Sequence, residues 1–133
     1  MTAKIDILIV DDQAGIRNLL SVVLEEDNYR IAAATNGEEG VRLAADLKPK
    51  LVLMDIKMPV MDGIEALKRI RSFDQNVKIV IMTAYGEANT VKNLIKYGCT
   101  GYILKPFDVI KLKEYLGSLL NNEPSNITGI SGL

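Results

Sequence analysis

The chain has 133 residues, enough for one domain whose core buries about two thirds of the surface that the unfolded chain exposes. Its 16 basic and 17 acidic residues give a net charge of -1, so the general attraction of a strongly basic chain to nucleic acid is missing and no nucleic-acid partner is expected. Histidine is absent, which excludes Ser-His-Asp and Cys-His nucleophile systems, histidine-ligated zinc and a phosphohistidine on this chain.

The single cysteine, Cys99, excludes an internal disulfide and a multi-cysteine zinc site, and we expect it to be a small core residue. The first residues show no signal-peptide pattern, and no apolar run approaches the roughly 20 residues needed to span a bilayer. The sequence therefore predicts a cytoplasmic protein with no membrane segment and no membrane partner.

Apolar runs alternate along the chain with segments of helical periodicity, a pattern typical of βαβ units around a parallel sheet. Five such units are predicted. Their strands cover residues 5–10, 30–34, 51–55, 77–83 and 102–104.

The first two helices are predicted from apolar spacing and from capping residues. Thr35 and Glu38 have the spacing of a capping box for the second helix, which is expected to reach about Leu47. In the first helix, one face is formed by apolar residues at i, i+3, i+4, i+7 and i+8, namely Ile16, Leu19, Leu20, Val23 and Leu24.

The later boundaries follow from capping chemistry and composition. Asp62 and Asp108 are expected to cap the third and fifth helices, and Gly98 is expected to lie at the end of the fourth. Residues 1–121 are thus predicted to form one domain, and the polar residues 122–133 to form a flexible tail.

Four of the predicted strands end at a polar residue that can bind a phosphate or a metal ion. The first ends at Asp11 and Asp12, the third at Asp55, the fourth at Thr83 and the fifth at Lys105. Because ligands of open α/β sheets bind beyond the carboxyl ends of the strands, we expect these side chains to lie together. Carboxylates and a phosphate oxygen suit magnesium, so the sequence predicts magnesium-assisted phosphoryl chemistry.

Each of these residues has an expected role. Asp55 is the expected nucleophile, which would attack phosphorus and form an acyl phosphate. Lys105 would add a positive charge opposite the metal, and the following Pro106 allows a cis peptide bond that aims the ammonium inward. The Thr83 hydroxyl is expected to donate to a phosphoryl oxygen and so act as a switch, the alternative being an ordinary strand residue.

Together these segments resemble the receiver domain of two-component response regulators, over about residues 4–120. The resemblance implies a flavodoxin-like (βα)5 fold with a five-stranded parallel sheet in the order 2-1-3-4-5. It also implies that Asp55 accepts a phosphoryl group from a sensor histidine kinase or a phosphotransfer protein. The matching segments are Asp11-Asp12, D-I-K-M-P-V-M-D-G from Asp55 to Gly63, Thr83-Ala84 and Lys105-Pro106.

The resemblance also assigns a metal, Mg²⁺ or Mn²⁺, and a second switch residue. Tyr102 occupies the family's aromatic switch position, where inward rotation would accompany the engagement of Thr83. The Lys57 side chain is expected to hinder attacking water and lengthen the phosphoryl lifetime, the alternative being a solvent-facing loop lysine. The implied metal ligands are Asp11, Asp12, Asp55 and the backbone carbonyl of Lys57.

A closer resemblance is to the stand-alone phosphorelay members of the family that control sporulation. It is carried by D-D-Q-A-G-I-R-N-L-L, I-E-A-L-K-R, I-M-T-A-Y-G-E and K-P-F-D. Ala14 and Tyr102 depart from that pattern, since a tyrosine and a histidine are expected there. Such a protein would pass phosphate from a kinase to a histidine phosphotransferase, and it is expected to be a monomer when unphosphorylated.

An apolar rim beside Asp55 is expected to dock the helical bundle of a partner, which can also be a phosphatase, and to bring a partner histidine into line. The alternative is that Ile16 and Leu19 belong to the core, which is the favoured interpretation for Leu19. The predicted rim consists of Gly15, Ile16, Leu19, Pro106 and Phe107.

Two other functions stay open at this stage. One is a chemotaxis-type regulator that signals by docking without passing its phosphate onward. The other is a hydrolase of the aspartate-nucleophile phosphatase class, but those enzymes carry a D-x-D pattern, whereas Asp55 is followed by Ile56 and Lys57. The leading prediction is a relay protein that catalyses its own aspartyl phosphorylation and does not turn over small molecules.

Overall fold

Strands and helices alternate along the chain, as the sequence predicts. The computed structural model describes residues 4–84, 88–121 and 129–130. The elements are β1 (Ile7–Val10), α1 (Ala14–Glu25), β2 (Ile31–Ala34), α2 (Gly37–Leu47), β3 (Leu51–Asp55), α3 (Gly63–Phe73), β4 (Lys78–Thr83), α4 (Ala88–Lys96), β5 (Gly101–Leu104), α5 (Val109–Leu120) and β6 (Gly129–Ile130).

The strands pair in parallel in the order β2-β1-β3-β4-β5-β6, and the first five confirm the predicted fold and strand order. β1 lies between β2 and β3, so the chain reverses the direction in which it adds strands at this point. The crevice outside the ends of β1 and β3 is therefore the topological switch point of the sheet. Val10 pairs with Met54, which places the next residues, Asp11 and Asp55, side by side.

A short strand that the sequence did not indicate extends the sheet beyond β5. Gly129 pairs with Tyr102, and Ile130 pairs with Ile103. The outer edge of β5 offers backbone groups for this pairing, so these two residues of the predicted tail lie in the sheet. The rest of the predicted tail, residues 122–128 and 131–133, lies outside the described residues.

The sheet is covered by helices on both faces, which explains why its central strands are almost continuously apolar. One core packs against α2, α3 and α4, and the other packs against α1 and α5. The first core includes Leu8, Val10, Val52, Met54, Leu67 and Leu94. The second includes Ile7, Ile9, Leu20, Leu24, Leu112 and Leu116.

The capping box of α2 lies one residue later than predicted. The Asn36 side chain accepts a hydrogen bond from the Glu39 amide (2.8 Å), and the Glu39 carboxylate accepts one from the Thr35 amide (2.7 Å). The prediction of Thr35 and Glu38 as the box is wrong because the helix begins at Gly37, so the three-residue spacing falls on Asn36 and Glu39.

Other predicted boundaries agree with the structure. Asp62 caps α3 through the Glu65 amide, and Asp108 caps α5 through the amides of Ile110 and Lys111. Gly98 follows α4 with φ +94°, the left-handed region that favours glycine. None of the helices within the described ranges is both long enough and apolar enough to cross a membrane.

Cys99 is a core residue, as expected. It is 3% exposed and lies in the core that packs against α2, α3 and α4. Burial raises the pKa of its thiol to about 11, so the thiolate that reactive cysteines need is disfavoured.

Candidate functional site

The carboxyl edge of the sheet brings three carboxylates together at the switch point. One carboxylate oxygen each from Asp11, Asp12 and Asp55 lies within 4.8 Å of the others. Asp11 is fully buried and Asp55 is 7% exposed, whereas Asp12 is exposed. The cluster thus has a buried side that the protein holds in place and an open side that faces solvent.

Lys105 reaches this cluster from the end of β5. Its Nζ lies 3.5 Å from Asp11 Oδ2 and 3.3 Å from Asp55 Oδ1. Its amide donates to the Thr83 carbonyl oxygen at 2.8 Å, which ties the ends of β4 and β5 together. The Lys105–Pro106 peptide bond is cis. One ammonium group therefore serves as the counter-ion of two carboxylates.

The Asp55 carboxyl has a raised pKa. Burial is the main cause, and the negative charge of Asp11 adds to the rise. Lys105 and a hydrogen bond from the Ile56 amide (2.9 Å) act in the opposite direction. A cation bound among the carboxylates would favour the ionised form that a nucleophile needs.

The donor set fits a hard divalent cation. Mg²⁺ takes oxygen ligands and keeps several waters, and the exposed side of the cluster at Asp12 leaves room for them. Lys57, whose carbonyl is the remaining predicted ligand, is exposed in the loop that follows β3, two residues after Asp55. The residues present therefore suit Mg²⁺ or Mn²⁺ in the predicted position.

The two predicted switch residues lie on neighbouring strands. Thr83 is fully buried and ends β4, at the same edge of the sheet as Asp55. Tyr102 is partly buried on β5 and pairs with Ile81 of β4. Its side chain contacts the core that packs against α2, α3 and α4. Thr83 thus lies on the strand next to that of Asp55, and Tyr102 lies on the following strand of the sheet.

An apolar groove opens beside Lys105. Its volume is about 490 Å³, within the range of ligand-binding clefts. Three predicted docking residues, Ile16, Pro106 and Phe107, contribute to its lining. The full lining is Gln13, Ile16, Leu19, Ala84, Lys105, Pro106, Phe107 and Val109.

The other two residues of the predicted rim, Leu19 and Gly15, differ in their position relative to the groove. Leu19 is 43% exposed in the groove, so its interpretation as a core residue is wrong; α1 turns Leu20 and Leu24 to the sheet and leaves Leu19 on the flank. Gly15 is exposed and does not line the groove, and a Cβ at this position would have no atom within 4 Å.

Sequence reasoning missed how the first loop is held. Arg17 lies outside the apolar face predicted for the first helix, yet its guanidinium donates to the Asp11 carbonyl oxygen at 2.7 Å. The Gln13 amide donates to the Asp11 carboxylate at 2.9 Å. Neither contact has a sequence signal, because a lone arginine in the first turns of a helix usually faces solvent.

Comparisons with known proteins agree with this geometry. Residues 7–117 match the family model of the response regulator receiver domain. Sporulation initiation phosphotransferase F of Bacillus subtilis is 43% identical over 108 residues, which cover 81% of this chain and 87% of that protein. The chemotaxis protein CheY of Halobacterium salinarum is 40% identical over 114 residues, which cover 86% of this chain and 95% of that protein.

A solved structure shows the same likeness. It is the co-crystal structure of the Saccharomyces cerevisiae histidine phosphotransfer signaling protein Ypd1 and the receiver domain of its downstream response regulator Ssk1. The matched chain has a TM-score of 0.81 and 28% identity, with 89% of this chain and 90% of that chain covered.

Receiver domains take part in phosphorylation-based signalling, interact with histidine kinases and phosphotransfer proteins, and generally bind Mg²⁺ at an acidic pocket. The acidic cluster, the strand order and the match over residues 7–117 agree with this description. The chain therefore belongs to the receiver domain family of response regulators.

Proposed function

We propose that this protein is a phosphorelay receiver. In this proposal Asp55 takes a phosphoryl group from a sensor histidine kinase and passes it to a histidine phosphotransferase. The protein would act in the cytoplasm and would be a monomer before phosphorylation. The observation that carries the proposal is the Asp55 carboxylate, nearly buried beside Lys105 and an acidic cluster, with an apolar groove next to it. The 43% identity to sporulation initiation phosphotransferase F supports a role in sporulation.

The proposed reaction is an in-line displacement at phosphorus. An Asp55 oxygen forms a bond to phosphorus as the bond to the partner's imidazole nitrogen breaks, and the imidazole leaves with the electron pair. Lys105, 3.3 Å from Asp55, is placed to neutralise charge on the phosphoryl oxygens. Mg²⁺ or Mn²⁺, held by Asp11, Asp12, Asp55 and the Lys57 carbonyl, would supply further neutralisation when bound.

Thr83 and Tyr102 are proposed to report the modification. Thr83 lies at the end of the strand next to Asp55, so its hydroxyl is proposed to donate to a phosphoryl oxygen. Tyr102 would then turn inward on the adjacent strand and change the surface that a partner meets.

A labelled phosphohistidine kinase tests the central proposal. With Mg²⁺ present, label is expected on Asp55 and then on the histidine of an added phosphotransferase, while Asp55→Asn takes none. Failure of every kinase and phosphotransferase donor to label Asp55 would contradict the proposal.

The groove is proposed to dock the partner's helical bundle. Ile16→Ala removes a lining side chain, so transfer from a phosphohistidine donor is expected to slow about tenfold, the effect of losing one strong interface contact. Phosphorylation by a small donor such as acetyl phosphate should not change. Val22→Ala, 61% exposed on the same helix but outside the groove lining, is the matched control. Equal losses with both donors in Ile16→Ala would exclude docking as the cause.

Lys57 is proposed to lengthen the lifetime of the phosphoryl group by hindering attacking water. Its exposed position two residues after Asp55 supports this role. Phospho-Asp55 is expected to decay faster in Lys57→Ala, measured as loss of label after removal of the donor. An unchanged decay rate removes the proposal.

A chemotaxis-type regulator is the second candidate, because CheY of Halobacterium salinarum is almost as similar and is matched over 95% of its length. Such a protein would be phosphorylated on Asp55 and would bind a partner without passing the phosphate onward. The labelling experiment separates the two functions, since label that never reaches a partner histidine favours the chemotaxis type.

A further inference from the structure

One hydrogen bond holds the peptide group that joins two of the clustered carboxylate residues. Arg17 Nη1 donates to the Asp11 carbonyl oxygen at 2.7 Å from a partly buried position. That oxygen belongs to the same planar peptide group as the Asp12 amide. Arg17 therefore restrains the orientation of the backbone between Asp11 and Asp12.

The two carboxylates differ in how they are held. The Asp11 carboxylate accepts from the Gln13 amide at 2.9 Å and lies 3.5 Å from the Lys105 ammonium. The Asp12 carboxylate is exposed, and the described part of the chain gives it no hydrogen bond or ion pair. The direction of the Asp12 carboxylate therefore depends on the orientation of the Asp12 backbone.

The start of α1 offers this backbone little other support. The N-cap residue, Gln13, makes no side-chain capping bond. The Asp11 amide donates to the Ala34 carbonyl oxygen of β2, which holds the strand end but lies on the other side of Asp11 from the Asp12 peptide. Within the described residues, Arg17 is the side chain that holds the Asp11–Asp12 peptide group.

We propose that Arg17 is a positioning residue for the divalent cation, because it sets the direction of Asp12 relative to Asp11 before the cation binds. This inference rests on the metal site of the proposed function. The guanidinium suits the task, since it is planar and carries several donors in a fixed geometry. Side chains that orient metal ligands commonly change metal affinity by ten- to a hundredfold when they are removed.

The charge of Arg17 by itself would have the opposite effect on the affinity for the cation. The direction of the change in affinity therefore distinguishes a positioning role from a charge effect. Removing a positive charge close to a cation site would strengthen the attraction of the carboxylates for the cation. Loss of a positioning contact would weaken cation binding. A weaker affinity in Arg17→Ala can therefore be explained by positioning and not by charge.

The test is a calorimetric titration of the full chain with Mg²⁺. Arg17→Ala is expected to weaken binding about tenfold, and Arg17→Lys, which keeps a donor and the charge, should recover part of the affinity. Asn18→Ala, the exposed neighbour on α1, is the control and should bind as the unaltered chain does. Thermal unfolding without Mg²⁺ verifies that each variant is folded.

A second measurement does not involve the metal. The carbonyl ¹³C chemical shift of Asp11, which reports the hydrogen bond that this carbonyl accepts, is expected to change in Arg17→Ala and not in Asn18→Ala when divalent cations are absent. Unchanged or tighter Mg²⁺ binding by Arg17→Ala overturns the inference and leaves the proposed function intact. Absence of Mg²⁺ binding by the unaltered chain overturns both the inference and the metal site on which it rests.

Discussion

Lys105 is the residue on which the charge balance of the site depends. It lies 3.3 Å from Asp55 and 3.5 Å from Asp11, and its side chain is only 21% exposed, so both ion pairs are partly shielded from water. Breaking a buried pair leaves an uncompensated charge, which costs more than an exposed pair contributes. Even so, Lys105 does not fully offset the burial of Asp55, whose pKa stays raised.

Asp55→Asn is expected to stabilise the protein at neutral pH in the absence of divalent cations. The folded-state pKa of Asp55 lies above the ordinary value of 3.8 for an aspartate, so ionisation of Asp55 destabilises the folded state at higher pH. The gain in the free energy of unfolding should be full above the folded-state pKa and should fade as pH falls to 3.8. Urea unfolding across this range, with a chelator present, measures it.

Asp46→Asn, which removes an exposed carboxyl on α2, serves as the control for this pH series. It should not reproduce the gain at neutral pH. A gain from Asp55→Asn that increases as the solution becomes more acidic would contradict the assignment.

At the scale of single elements, side-chain caps decide where three helices begin. Asn36, Asp62 and Asp108 each accept hydrogen bonds from amides in the first turn of their helix. These amides have no partner within the helix, so each cap satisfies groups that would otherwise depend on water. For α2, this chemistry identifies Asn36 and not Thr35 as the first capping residue.

Asn36→Ala is expected to lower the free energy of unfolding by about 1 kcal/mol, the usual cost of a lost N-cap. Glu38→Ala should cost less than about 0.5 kcal/mol, because an acidic residue in the first turn contributes mainly through the helix dipole. Urea denaturation of the two variants measures the difference. A larger loss of unfolding free energy in Glu38→Ala than in Asn36→Ala would instead support the capping box predicted from Thr35 and Glu38.

At the scale of the whole molecule, the site depends on close approach between elements. Gly63 begins α3, and its amide donates to the Ile56 carbonyl oxygen at 2.8 Å. A Cβ at Gly63 would overlap the Asp55 carbonyl oxygen and lie 2.8 Å from Ile56 Cα. Only glycine therefore lets α3 pack directly on the backbone of the proposed phosphoacceptor.

Gly63→Ala is expected to destabilise the fold by about 2 kcal/mol, since the neighbouring atoms belong to the backbone and cannot move aside cheaply. Gly15→Ala is the matched control, because a Cβ there meets no atom within 4 Å and alanine is the better helix former. It should be neutral or stabilising by up to about 1 kcal/mol. Chemical denaturation tests the pair, and equal stability of the two variants would show that the close contact relaxes freely.

The strands and the convergence of the site residues could be predicted, because both depend on local patterns and on one topological rule. Strand ends in a parallel sheet meet at one edge, so Asp11 and Lys105 come together although 94 positions separate them. The roles of Leu19, Arg17 and Asn36 could not be predicted. The α2 helix begins one residue later than predicted, which makes Asn36 the cap. The positions of Leu19 and Arg17 depend on how α1 packs against the sheet, which periodicity does not resolve.

The sequence by itself determined the alternation of strands and helices, the apolar faces and the set of polar strand ends, because these are properties of neighbouring residues. The tertiary structure decided which of those residues share charge, which line a groove and which hold the backbone of another. Burial raises the pKa of Asp55, Lys105 pairs with two carboxylates, and Arg17 donates a hydrogen bond to the Asp11 carbonyl oxygen. Such effects depend on distances between elements, and only the packed sheet and helices set those distances.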